Sequence, residues 1–329
     1  MRRPAQLAGI AALAACALVL LALSLLLGPA EIGWQRVLAA LAGDGDPFAR
    51  TVLLELRLPR ALAAFSVGSV LALAGALLQA VFRNPLADPF VLGVSGGAAI
   101  GGLLAMLVGA SLIVLRLSAL AGAAVAVLSV FALGRGGDNA RLLLTGVVLA
   151  SGCGAIVTVL LAIADVGQLR GMVFWLSGDL GFAPDPLVSL LAAAAALAGA
   201  LLLARPLNVI ASGELRARSV GLDVDAARWT ALLASAALTS VAVVAAGTIG
   251  FVGLIAPHAV RIAFRTSDHR IVAPAAALAG GAILTAADLI ARSIAAPRQL
   301  PVGAVMALLG TPLFLLLLRR GARSRPDAP

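Results

Sequence analysis

The sequence predicts an all-α integral membrane protein of about ten transmembrane helices, and three observations predict it. First, 62% of the 329 residues are hydrophobic and only 12% are charged, with a mean hydropathy of +1.08. A chain dissolved in water cannot hide that much apolar surface, whereas a bilayer removes the need because lipid is the solvent. Second, apolar runs recur along the whole length, separated by short polar or Gly/Pro-marked breaks. Third, arginines are shared unevenly between alternate breaks, as the positive-inside rule requires.

The runs are residues 7–27, 61–81, 92–110, 118–134, 142–163, 186–204, 229–250, 251–264, 271–292 and 302–318. Helices are expected because every backbone polar group in lipid must be satisfied within its own segment. The first run holds 21 residues behind Arg2 and Arg3. That is longer than the ~7–15 residues of a signal-peptide core, and no A-x-A site follows, so it reads as a retained span. The eighth run is short and bounded by Gly and Pro. The outer segment 28–60 is long and charge-balanced: Glu31, Asp44, Asp46 and Glu55 match Arg36, Arg50, Arg57 and Arg60. The inner segment 205–228, RPLNVIASGELRARSVGLDVDAAR, is amphipathic and long enough for one or two short helices. It reads as a solvated connector or as a docking knob for a partner. Residues 1–329 thus form a single membrane domain with 205–228 as a cytoplasmic loop within it.

With the N-terminus inside, the inner segments hold 16 of the 24 arginines and the outer ones 7, with Arg292 at the outer end of the ninth run. Both termini are then cytoplasmic. Gly68, Gly75, Gly93, Gly97, Gly101, Gly146 and Gly152 place small residues on several runs, a pattern that lets helices approach closely in lipid.

Several function classes are excluded. The chain has no Lys, so it lacks the lysine of a nucleotide-hydrolysing P-loop and the amine of a retinal-type Schiff base. Net charge is +9, but the arginines are scattered over loops rather than gathered in a stripe, which argues against nucleic acid. Cys16 and Cys153 both lie in apolar runs and offer neither a disulfide framework nor a metal site. No aspartate cluster suits a prenyl-transferring enzyme; Asp223 and Asp225 are two apart and exposed. An ion-coupled secondary transporter working alone is the rival reading, and it would depend on Asp288 or His258. Asp288 is four residues before Arg292, the spacing of a helical ion pair, and Asp165 and Asp179 flank the outer side. The chain reads as a pathway whose energy comes from a partner.

Four blocks then carry a resemblance. RLPRALAAFSVGSVLALAGALLQAVFRNPLADPFVLGVSGGA (57–98), GELRARSVGLDV (213–224), GTIGFVGLIAPHAVR (247–261) and QLPVGAVMALLGTPLFLLLL (299–318) resemble, in order, the FecCD family of ABC importer permeases. The resemblance implies a ten-helix subunit of the bacterial inner membrane and a homodimer with its pore on the two-fold axis. It also implies two cytoplasmic ATPase subunits that bind the ATP and magnesium, a periplasmic binding protein, and no cofactor or catalytic site on this chain. By position, Arg57, Arg60 and Arg292 resemble the arginines that receive acidic residues of the binding protein. Gly213, Glu214, Ala217 and Gly221 resemble the ATPase-coupling signature. Asn84, Leu86 and Asn139 resemble positions at the cytoplasmic gate, although residues 138–140 read DNA where the family often has Ser or Thr. Gly146, Ser151 and Gly152 fall on the pore-lining span. Its small, apolar character suits a large metal chelate; haem is favoured, with cobalamin and ferric siderophores open.

Overall fold

The computed structural model describes residues 3–29, 32–43, 46–134, 139–182 and 185–323. Among these residues every regular element is helical. The order is α1 (Arg3–Leu26), α2 (Trp34–Ala42), α3 (Pro47–Thr51), a π-helical stretch Val52–Arg57, α4 (Leu58–Phe82) and a 3-10 turn Pro89–Leu92. Next come α5 (Val94–Leu107), α6 (Leu112–Gly134), α7 (Asn139–Ala162), α8 (Val166–Leu176) and a 3-10 turn Leu180–Phe182. The chain continues with α9 (Pro186–Ala211), α10 (Glu214–Ser219), α11 (Val224–Ala246), α12 (Val252–Phe264), α13 (His269–Ser293) and α14 (Val302–Arg323). Seven helical stretches are long and apolar enough to cross a membrane, and α5, α12 and the apolar part of α14 are shorter. These ten coincide, in order, with the ten runs read from the sequence.

The boundaries differ from the expectation in several places. The second span does not start at 61: helix is continuous from Pro47 to Phe82, and Pro59, which has no N–H to donate, follows the π-helical stretch Val52–Arg57, where the regular α-helical bonding is already interrupted. The outer segment 28–60 is therefore largely helical rather than a loop. The seventh span stops at Ala246, not 250, because Gly247 turns to φ +70°. The inner segment 205–228 is shortened from both sides, α9 running to Ala211 and α11 starting at Val224, and between them it forms one short helix, α10, within the one or two expected. The outer segment after α7, which lies outside the apolar runs, folds α8, whose Met172 and Trp175 are buried.

The core is built around α4. Its Ala, Gly and Ser residues bury most of its surface against α9, α11, α12 and α13. Small residues permit this closeness: a Cβ at Gly75 would overlap the Gly253 carbonyl of α12, and one at Gly68 the Gly280 carbonyl of α13. Where backbones approach, hydroxyls and an amide bridge them. Ser235 Oγ donates to Ala74 O at 2.8 Å, Ser69 Oγ to Ala277 O at 2.9 Å, and Gln79 Nε2 to Gly253 O at 3.2 Å. A second tight pair joins α5 to α6 through Gly97, Gly101 and Gly122. Gly93, four residues before Gly97, does not lie on that seam; at φ +72° it makes the left-handed turn into α5.

Candidate functional site

Two polar assemblies stand at opposite ends of the bundle. The outer one begins with Asp288, wholly buried in α13. A lone carboxylate there would be costly, so it is paired. Arg60 Nε of α4 donates to its Oδ1 at 2.8 Å, and Arg292 Nε lies 3.3 Å from Oδ2, one helical turn along. Arg60 also donates to Gln299 at 2.9 Å. Arg57 Nη1 donates to Leu25 O at 2.7 Å and Leu26 O at 2.9 Å, while Arg292 Nη2 donates to Ser24 O at 2.6 Å and to Ser24 Oγ. The last carbonyls of α1 have no partner within their helix, and two guanidinium groups satisfy them. The arginines border a recess of about 490 Å³ that also holds Glu55 and Gly181.

These arginines are not equivalent. Arg57 is 4% exposed and Arg292 3% exposed, whereas the Arg60 side chain is 17% exposed. The sequence reading has all three facing outward; the structure places them around one recess, with two turned into the protein. From the sequence, Asp288 is half of an i,i+4 pair or the essential acid of an ion-coupled transporter. The partner that makes Asp288 a hub, Arg60, is 228 residues away, and no local signal carries that.

At the inner end, α9 and α11 are joined by the short helix α10. Gly213 (φ +124°) and Gly221 (φ +82°) flank it, both in the left-handed region that favours glycine, which explains their places in the signature. Ala217 is wholly buried against Ile210 and Val224, so a larger side chain there has no room. Arg218 donates to Glu214 at 3.1 Å and to Asp225 at 3.0 Å. The Glu214 and Asp225 carboxylates hold its guanidinium above the usual value. Leu215 is 87% exposed on this knob, with Val220 also exposed.

The knob is connected to the neighbouring loops. Arg83 Nη2, at the end of α4, donates to Ile210 O at 2.6 Å in the last turn of α9. Asn208 Nδ2 of α9 donates to Asp268 Oδ1 at 2.6 Å, and the His269 amide donates to Asn208 Oδ1 at 2.9 Å. Burial works to raise the Asp268 carboxyl, but bonds from the Arg270 amide and Asn208, with the Arg270 charge, outweigh it and leave it below the usual range. Sequence reading missed Arg83 and Asn208 because both partners are distant in the chain.

Asn84 follows Arg83 directly; its Oδ1 accepts the Leu86 amide at 2.9 Å, closing an Asx turn that leaves Leu86 exposed. The Asn139 side chain lies outside the described residues. Ser151 and Gly152 are on the exposed side of α7, and a Cβ at Gly152 would meet open space. Gly146 is buried instead, with its carbonyl near Gly93. His258 of α12 stands edge-on to Phe314 of α14, ring centroids 6.4 Å apart.

An apolar all-helical bundle with seven long candidate spans is a multi-pass membrane protein. The chain belongs to the FecCD transport family, whose sequence profile matches residues 16–320. It is 39% identical to the vitamin B12 import system permease protein BtuC of Escherichia coli O127:H6 over 313 residues, covering 93% of this chain and 94% of that protein. It is 41% identical to the hemin transport system permease protein HmuU of Yersinia pestis, covering 83% and 85%. A cobalamin import system permease protein of Halobacterium salinarum is 40% identical, covering 82% of this chain and 74% of that one. Among solved structures, one described as an inward-facing conformation of a metal-chelate type ABC transporter superposes with a TM-score of 0.85 at 31% identity, covering 94% of this chain and 98% of that one.

Proposed function

We infer that this chain is the permease subunit of a binding-protein-dependent ABC importer that moves a large metal chelate across the cytoplasmic membrane. The observation that carries the reading is the inner knob: an exposed apolar tip on a short braced helix, hydrogen-bonded through Arg83 to the loop holding Asn84 and Leu86. An exposed apolar tip is suited to a protein partner, and a bonded link to the next loop is suited to transmitting its movement.

In this scheme two copies of the chain pair around a central axis. ATPase subunits, which bind ATP and magnesium, grip the exposed face of Glu214–Gly221 from the cytoplasm, with Leu215 at its tip and Ala217 packed beneath it. The Asn84–Leu86 loop and Asn139 control the inner exit, and Ser151 and Gly152 border the path on α7. A periplasmic binding protein offers acidic residues to the outer recess. There Arg60 is the arginine placed to receive them, while Arg57 and Arg292 hold the rim in shape. The chain itself performs no bond chemistry. Relatives named for cobalamin and hemin point to a macrocyclic metal complex, and haem is the first cargo to test.

The test is uptake into proteoliposomes holding this chain with its ATPase, ATP inside and loaded binding protein outside, offered haem, cobalamin and a ferric siderophore in parallel. ATP-dependent accumulation of one cargo is expected. Accumulation without the ATPase, driven by an imposed ion gradient, would overturn the reading in favour of a secondary transporter. Asp288, the acidic group such a transporter would need, is instead locked between two arginines.

A further inference from the structure

A groove runs down the outside of the bundle between α4, α9 and α11, with α6 at its outer mouth. Its outer part has a volume of about 170 Å³ and is bordered by Ser66, Arg116 and Ser189. Its longer inner part, about 520 Å³, is bordered by Gly199, Leu203 and Ala234. The two parts share Val70, Ala192 and Val241 and so form one channel. From Ser189 to Leu203 along α9 it extends about 21 Å at ~1.5 Å per residue. One leaflet of a bilayer is about half of its ~30 Å hydrocarbon core, so the groove reaches past the midplane.

The polar atoms at its mouth are unusual for this protein. Hydroxyls on the spans generally donate to the carbonyl four residues earlier, as Ser69, Ser129, Ser151, Thr239 and Thr285 do. Ser66 and Ser189 do not. Ser66 is 1% exposed and Ser189 5% exposed, and neither Oγ has a hydrogen-bond partner among the described residues. Buried hydroxyls left without partners are costly in an apolar setting. Both border the same small space, and a partly buried arginine borders it too. Below them the walls are apolar, and a Cβ at Gly199 would meet nothing within 4 Å.

Polar acceptor sites are therefore wanted at the outer end and hydrocarbon below. We propose that this groove binds one phospholipid of the outer leaflet, its phosphate and ester oxygens accepting from Arg116, Ser66 and Ser189 and one acyl chain lying along α9 towards Leu203. The phosphate carries the charge that Arg116 favours at the interface, and its oxygens are acceptors, which two unpartnered hydroxyls need. The proposal is independent of which cargo the chain carries.

The full chain, purified from membranes in mild detergent, is examined by native mass spectrometry. The wild type is expected to retain one phospholipid per copy. Gly199→Phe, which grows into open space, is expected to lose it by about tenfold, and Ser66→Ala with Ser189→Ala several-fold, with thermal unfolding unchanged. Equal retention by wild type and both variants would overturn the proposal. Should Gly199→Phe not fold, p-benzoyl-phenylalanine is placed at Leu202, which is 80% exposed on the groove's rim. It is irradiated in vesicles of phosphatidylethanolamine and phosphatidylglycerol. A phospholipid adduct that weakens when Ser66, Ser189 and Arg116 are replaced supports the site. An adduct indifferent to those replacements, or a cross-link to a second copy of the chain, overturns it.

Discussion

The two ends of this bundle use the same chemistry, arginine against carboxylate, in opposite surroundings. At the outer end Asp288 has no contact with solvent and its arginines are spent on it and on the last carbonyls of α1. At the inner end Arg218, Glu214 and Asp225 form a comparable triad in open solvent. Burial changes what the triad is for. In a dry site each charge depends on its partners, so the outer cluster fixes α1, α4 and α13 in one arrangement. In water the partners are exchangeable, so the inner triad shapes a knob without locking it. Burial makes one end rigid, and exposure leaves the other adaptable.

The largest effect should come from breaking the outer cluster. Asp288→Ala leaves two guanidinium groups facing each other in a buried site and should cost about 3–5 kcal/mol, read as a fall in thermal unfolding temperature in detergent. Should Asp288→Ala prove no more harmful than Glu214→Ala, the contrast between the ends collapses. Next, Arg83→Gln removes a charge-assisted bond to Ile210 O, a contribution of about 1.5–3 kcal/mol. Under the proposed function, ATP hydrolysis should persist while uptake falls roughly tenfold. Equal losses in both would mean that Arg83 supports the fold rather than the connection.

Leu215→Ser sharpens the comparison from the other side. The residue is exposed, so unfolding should not shift, yet under the proposed function affinity for the ATPase subunits should fall by roughly tenfold if about 1.5 kcal/mol of apolar burial is lost. The smallest effect is a pH dependence at Asp268. Its carboxyl titrates below its ordinary value when folded, so its contribution to stability is present above about pH 4 and fades as pH falls through the folded value. The difference in unfolding temperature between wild type and Asp268→Asn should be plain at pH 7 and vanish on acidification.

The span order was legible because hydropathy is a local property: every apolar run became a helix. The segments that lack strong hydropathy were not. Residues 47–57 carry Arg50, Glu55 and Arg57, which read as loop, yet they continue α4 because Arg57 finds its partners on α1. Glycines were legible as small but not by role: Gly97 makes a helix contact, whereas Gly93 makes a turn. At the sites, residue types and rough positions could be read, but exposure could not. Whether an arginine faces water or a carboxylate 228 residues away is decided only when α4 and α13 pack.

That packing has a mechanical corollary. The same helix carries Arg57 and Arg60 near one end and Arg83 at the other, with Leu58–Phe82 unbroken between them. At ~1.5 Å per residue, about 39 Å of stiff rod separates Arg57 from Arg83. A rod tied by buried charge at its upper end, packed along its length and bonded below through Gln79 and Arg83 moves as one piece, so a tilt imposed at either end is carried to the other.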